Sequence, residues 1–97
     1  MYGQTKKYPV EERFGLTSQM RRAASSVPMN LMEGSHRNSK KEYRQFVGIA
    51  KGSSAELKYQ LLLSLDLSYI IKDTFKELNE MNQRVLQMLE KLNIALK

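Results

Sequence analysis

The sequence predicts an all-α protein, an antiparallel up-down helical bundle arranged around a long central helix. Apolar residues recur at steps of three and four along most of the chain, which is the spacing of one helix face, and no strand-like alternation competes. Capping residues and glycines bracket these stretches. We therefore predict one domain over the 97 residues, with helices at 17–33, 39–69 and 72–96. The short loops between them make sequential helices antiparallel neighbours.

The first predicted helix has a single apolar face. Thr17 or Ser18 is a candidate N-cap, because either hydroxyl can accept from a free backbone N–H of the first turn. Gly34 is expected to end the helix in a left-handed conformation. The apolar face is formed by Leu16, Met20, Ala23, Ala24, Val27 and Leu31.

The second predicted helix is the longest, about 45 Å at 1.5 Å per residue. It begins with a capping box, in which Ser39 and Glu42 each satisfy a free backbone N–H. Gly48 and Gly52 lie in its interior, where glycine costs about 1 kcal/mol relative to alanine, so we expect a neighbouring helix backbone to approach closely there. Its buried face is predicted to contain Tyr43, Phe46, Ala50, Leu57, Leu61 and Ser64.

The third predicted helix has a bundle seam, because apolar residues follow the three-four spacing over three heptads. Asn82 is the one polar member, and we expect it to be buried, where it fixes the register at a cost in stability. An Asn82→Leu substitution is accordingly expected to raise the melting temperature. Met81, Met88 and Ala95 widen a seam that consists of Phe75, Leu78, Asn82, Val85, Leu89, Leu92 and Leu96.

The composition excludes several classes of function. With no cysteine and one histidine, neither a thiol nucleophile nor a His-based relay has support, so we expect no catalytic residue. Glu33 and His36 have the Glu-x-x-His spacing of di-iron bundles, but those sites need two such motifs, so we expect no metal and no cofactor. The lack of cysteine fits a cytoplasmic location. No apolar run approaches the roughly 18 residues of a membrane span, so no membrane partner is expected.

One stretch of the predicted second helix and the following loop is apolar all round. A helix with no polar face must be buried on every side, which a chain of 97 residues is too small to do alone. We therefore predict a homo-oligomer whose subunit interface contains Leu61, Leu62, Leu63, Leu65, Leu67, Tyr69, Ile70 and Ile71.

The positive charge is unevenly distributed. Residues 1–58 hold 11 Lys or Arg and 5 Asp or Glu, a net charge of +6, whereas residues 59–97 hold five of each. Such an excess in one half favours an anionic partner, most plausibly RNA or DNA, although it also serves solubility.

Four cations of the second helix are predicted to form a basic stripe. At about 100° per residue, Lys40, Arg44, Lys51 and Lys58 lie within about 40° of one another and span roughly 27 Å of axis. A rigid row of cations suits a phosphate backbone. No aromatic residue interleaves the stripe, so base stacking is not expected. The predicted flanking contacts are Arg21, Arg22, Arg37 and Lys41.

Several motifs resemble one bacterial family. They are ERFGLTSQMRRAA at 12–24, SVP at 26–28, Asn30, EG at 33–34, SKKE at 39–42 and GSSAEL at 52–57. Together they resemble the four-helix-bundle family of ribosomal-RNA intervening-sequence proteins, to which the accessory variability determinant of diversity-generating retroelements is related. The likeness extends over nearly the whole chain.

This resemblance implies a ring-like homopentamer of up-down bundles with an RNA-linked role. For the retroelement member it implies a reverse transcriptase as a partner. The chain departs from the family in its first helix, of which residues 2–7 correspond to the last turn. Either the start is truncated or the first helix is lost, and a three-helix remnant would leave an open groove along the core.

Two functions remain open at the level of sequence. The first is a non-enzymatic oligomer that binds RNA, or a protein–RNA complex, through the basic stripe. The second is a protein–protein adaptor or structural oligomer whose charge only aids solubility. Salt-dependent binding to mixed-sequence RNA separates the two.

Overall fold

The computed structural model describes residues 2–6, 8–9 and 15–97. These residues form helices α1 (Tyr2–Thr5), α2 (Leu16–Ser35), α3 (Lys40–Asp66) and α4 (Lys72–Ala95), and they contain no strand. The predicted all-α class and the three long helices are confirmed. The molecule is elongated, with extents of 43 × 24 × 17 Å, because the three helices lie side by side.

The long central helix α3 packs against both α2 and α4, and the short α1 packs against α2. Among the described residues, no Cα atom of α2 comes within 8 Å of a Cα atom of α4. The two outer helices are therefore held together through α3, as the prediction of a long central helix requires.

The core consists of two apolar clusters joined by α3. Val47, Ala50 and Leu89 form the smaller cluster, against which α2 and α4 side chains also pack. Ser54 lies between the two clusters along α3. The larger cluster combines the turn before α4 with α2, α3 and the N-terminal segment, and it contains Tyr8, Leu16, Met20, Ala23, Leu57, Leu61 and Ile70.

The two ends of α2 differ from the prediction. Gly15 is the N-cap and supplies no side-chain hydrogen bond, whereas Thr17 lies inside the helix and is buried. Gly34 does not end the helix, which continues to Ser35. A Cβ atom at Gly34 would lie 2.8 Å from Cβ of Phe46. Gly34 therefore serves close packing of α2 on α3 instead of a left-handed turn.

The start of α3 has the predicted Ser39 cap, whereas its end differs from the prediction. Ser39 is the N-cap, and its hydroxyl accepts from the backbone N–H of Glu42 at 3.1 Å. The helix stops at Asp66, three residues before the predicted end, because Ser68 adopts a φ of 62°. The N–H of Tyr69 bonds to the carbonyl of Ser64 at 2.9 Å and that of Ser68 to Leu65 at 3.0 Å, which is the Schellman pattern.

Asn82 is buried as predicted, and it has a specific partner. Its amide nitrogen donates to the carbonyl of Ser54 at 2.9 Å, and its amide oxygen accepts from the Ser54 hydroxyl at 2.8 Å. Because Ser54 is fully buried, it depends on Asn82 for this contact across the α3–α4 interface. The expectation that Asn82→Leu stabilises the protein therefore changes sign.

We expect Asn82→Leu to lower the free energy of unfolding by about 1–3 kcal/mol, because it leaves the Ser54 hydroxyl without its partner on α4. Adding Ser54→Ala is expected to recover most of this loss, since both polar groups are then gone. Urea unfolding of the two single variants and the double variant measures the coupling. Additive losses would contradict the pairing.

Tyr8 anchors the N-terminal segment in the larger cluster. Its ring centroid lies 5.2 Å from that of Tyr69, with the rings tilted by 57°. Burial raises the pKa of the Tyr8 hydroxyl above its ordinary value of 10.0, and the Ser64 hydroxyl partly offsets this effect. The folded state thus favours the neutral phenol.

This raised pKa predicts a loss of stability in alkali. Below about pH 10 Tyr8 is neutral in both states, but above it the unfolded chain releases the proton first, so the free energy of unfolding falls as pH rises. We expect Tyr8→Phe to weaken this fall. Urea unfolding at pH 8 and pH 11 tests it, with the exposed Tyr59→Phe as the control. Equal slopes for both variants would contradict the prediction.

Candidate nucleic-acid interface

The four cations of the basic stripe lie on the single helix α3. Lys40 is its first residue and Lys58 lies two turns before its end, so the row keeps the roughly 27 Å length expected of a straight helix. Lys40 and Lys58 are exposed, whereas Arg44 and Lys51 are half-buried. The two inner members therefore differ in environment from the two outer ones.

The half-burial of Arg44 and Lys51 comes from α4. The guanidinium Nε of Arg44 donates to Oδ1 of Asn93 at 3.4 Å, and Nζ of Lys51 lies 3.3 Å from Oε1 of Glu90. The middle of the stripe thus follows the α3–α4 junction. Glu90 is an acidic partner that the helical spacing of α3 alone does not reveal.

The predicted flanking cations do not form one group. The Arg21 Nε donates to the Thr5 hydroxyl at 2.9 Å, which ties α2 to α1. Arg37 pairs with Glu33, and its Cζ lies 5.0 Å from the Phe46 ring centroid. Arg22 and Lys41 are exposed.

Glu33 and His36 have different partners. Glu33 pairs with Arg37, whereas Nδ1 of His36 lies 2.8 Å from the carbonyl oxygen of Met32. Across the described part of the chain, no cluster of three or more His, Cys, Asp or Glu side chains is placed to hold a metal ion. Nor does any helix there have the length and apolar content to cross a membrane.

The apolar stretch of residues 61–71 divides into inward and outward side chains. Because α3 ends at Asp66, the chain turns back, and Leu61 and Ile70 lie in the core of the same chain. Leu63, Leu65 and Tyr69 are half-buried and pack against that core. The side chains left exposed are Leu62 at 43%, Leu67 at 46% and Ile71 at 69%.

The packing of α2 on α3 leaves an open groove. The family resemblance implied an open groove in a three-helix remnant, but the sequence did not indicate which residues line one. The volume of the groove is about 770 Å³, and the Ser53 hydroxyl bonds to the Ser26 hydroxyl at 2.8 Å across it. Tyr59, at the groove, follows Lys58 of the stripe and is 67% exposed. The sequence signal that could have indicated Tyr59 is an aromatic residue directly after a cation of the stripe. It was missed because helical spacing places Tyr59 outside the stripe.

The expected close approach at Gly48 and Gly52 does not occur within the described chain. A Cβ atom at either glycine would meet no heavy atom within 4 Å. The neighbouring helices therefore do not explain why glycine stands at these positions.

Comparison with known proteins agrees with the sequence motifs. No curated protein matches the chain. Residues 1–91 match the family described as 23S rRNA-intervening sequence protein, which leaves only the last six residues outside the match. The match covers α1, α2, α3 and most of α4. The chain therefore belongs to the 23S rRNA-intervening sequence protein family.

Proposed function

We propose that this protein is a non-enzymatic homo-oligomer that binds RNA through the basic stripe of α3. The observation that carries the proposal is the row of four cations along one rigid helix, Lys40, Arg44, Lys51 and Lys58. The family's description, which refers to an intervening sequence of 23S rRNA, supports an association with RNA. The net charge of +6, all of it within residues 1–58, supports an anionic partner.

The ion pair of Lys51 with Glu90 does not block this role. Both side chains are partly exposed, and exposed pairs contribute only about 0–1 kcal/mol. A phosphate can therefore replace Glu90 as the partner of Lys51 at little cost. The contact meanwhile keeps the ammonium group along the α3–α4 junction, in line with its neighbours.

Assembly would strengthen such binding. One subunit offers at most a few phosphate contacts, each weakened by salt. Several copies of the stripe in one assembly engage a strand together, which raises the overall affinity without new contacts. The proposal thus links nucleic-acid binding to oligomerisation.

We expect Lys40→Glu with Lys58→Glu to weaken RNA binding for all sequences. Loss of two phosphate contacts flattens the dependence of log K on log salt by about 1.4 for single strands. The fold should be retained, because both residues are exposed. Fluorescence anisotropy with mixed-sequence RNA at several salt concentrations measures the effect.

The matched control is Lys76→Glu with Lys91→Glu, which reverses the charge of two exposed cations of α4 outside the stripe. This control has the same net charge as the stripe variant. Its log K should depend more steeply on log salt than that of the stripe variant. Equal effects of the two double variants would contradict a defined stripe and indicate attraction by net charge alone.

We further propose that the exposed part of the apolar stretch contacts another subunit, with five subunits implied by the family resemblance. Leu62 and Ile71 are exposed, so their replacement tests contact without disturbing the core. We expect Leu62→Glu and Ile71→Glu to lower the mass measured by light scattering, because they place a charge in an apolar contact. Ile49→Glu is the control, because Ile49 is an apolar residue of α3 whose 52% exposure lies between those of Leu62 and Ile71. A monomeric mass for the wild type would refute the proposal.

The second candidate function is a protein–protein adaptor, of which a reverse transcriptase is one expected partner. Met81, Val85 and Met88 favour it, because they are exposed and share one face of α4 by their three-four spacing. An intact oligomer with no detectable RNA or DNA binding at low salt would favour this function over the first.

A further inference from the structure

The groove between α2 and α3 has the size of a small-molecule site. Its volume of about 770 Å³ lies within the usual range of roughly 300–1,000 Å³. Half of the residues that line it are small: Ala23, Ser26, Gly52, Ser53 and Ala55. None of the residues that line it comes from α4.

Gly52 lines this groove without a side chain. It lies in the interior of α3, where glycine weakens the helix relative to almost any other residue. A Cβ atom there would meet nothing within 4 Å, so the described fold does not require glycine at this position. A larger side chain at 52 would instead project into the groove that Gly52 lines.

Gln60 supplies a second, independent observation in the lining of the groove. The residue lines the groove but is only 6% exposed, and its Oε1 atom has no hydrogen-bond partner among the described residues. A buried acceptor without a partner is costly. The last torsion of a glutamine side chain is soft, so the amide can turn toward a donor that enters the groove.

The other residues of the groove indicate which class of ligand it would bind. Tyr59 offers an exposed ring for stacking, Arg22 a guanidinium for a phosphate, and Glu56 a carboxylate for hydroxyl donors. A planar heterocycle with a polar edge, a sugar and a phosphate matches all of these groups. An acidic peptide does not, because Arg22 is the sole cation of the groove lining.

We propose that this groove binds one unpaired nucleotide of an RNA strand, with the base on Tyr59 and its polar edge at Gln60. The inference rests on the proposed function, because the strand's neighbouring phosphates lie on the basic stripe. Lys58 and Tyr59 are consecutive in α3, so a strand that contacts both passes about 100° around the helix axis. Stacking on an aromatic side chain tolerates any base, whereas a contact at Gln60 favours bases that donate there.

The test uses the full chain and the four nucleoside monophosphates, so that it does not depend on binding to the stripe. Two-dimensional NMR is expected to show saturable shifts at the Ala23 and Ala55 methyl groups and at the Tyr59 ring. Gly52→Leu should abolish these shifts by filling the groove. Gly48→Leu is the matched control, because Gly48 also has free space around it but does not line the groove.

Three further substitutions separate stacking of the base from a purely structural role of these residues. Tyr59→Ala should weaken nucleotide binding by about tenfold or more, whereas Tyr59→Phe keeps the stacking ring and should bind nearly as the wild type does. Gln60→Met keeps the shape but removes the unpaired acceptor. It should raise the melting temperature and reduce the difference in affinity among the four bases.

The outcomes distinguish this inference from the proposed function. Salt-dependent RNA binding without saturable groove shifts would overturn the inference and leave the proposed function standing. Groove shifts that Gly52→Leu removes, in a protein that binds no RNA, would leave a free-nucleotide site and refute the proposed function. If Gly52→Leu but not Gly48→Leu lowers the oligomer mass, the groove holds a helix of a second copy and the inference is wrong.

Discussion

The whole structure depends on the packing of α3 between α2 and α4. No Cα atom of α2 lies within 8 Å of one of α4 in the described structure, so both outer helices pack mainly on α3, and α2 packs also on the short α1. The larger apolar cluster around Met20 and Leu61 and the smaller one around Val47 and Leu89 both include α3 residues. A defect on the buried face of α3 therefore affects both outer helices at once.

A small residue determines how closely α2 packs on α3, and a buried polar pair determines the register of α4 along α3. Gly34 allows the side chains of Tyr43 and Phe46 to lie directly against the backbone of α2. The two hydrogen bonds between Ser54 and Asn82 hold α4 at one height along α3. A buried polar pair contributes little net stability, but a shifted register would leave both groups unpaired, which is costly.

The face of α3 that is turned away from the core carries the features relevant to function. Its basic stripe follows the junction with α4, where Asn93 and Glu90 hold two of the cations. Gly52 and Tyr59 line the groove with α2. A rigid helix keeps these groups at fixed spacing, which the proposed contact with a flexible single strand requires. Membership of the 23S rRNA-intervening sequence protein family supports that proposal through the family's description alone.

The sequence by itself determined the helices, because helix formation depends on local spacing and capping. The three-four recurrence of apolar residues and the Ser39 cap predicted the three long helices, and the short motifs predicted the family. Asn82 was also predictable as a buried residue, since it interrupts an apolar seam. The alignment of the four stripe cations followed from helix geometry alone.

The tertiary structure decided which residues of different helices meet, because that depends on distances between distant parts of the chain. Ser54 as the partner of Asn82 and Glu90 as the partner of Lys51 are separated by 28 and 39 positions, and neither pairing has a local signature. The end of α3 was missed because Ser68 occupies a left-handed position that glycine usually fills. That turn returns Ile70 to the core, and so only part of the apolar stretch remains exposed. The groove likewise exists only through the packing of α2 on α3, since the sequence shows small residues but not the space beside them.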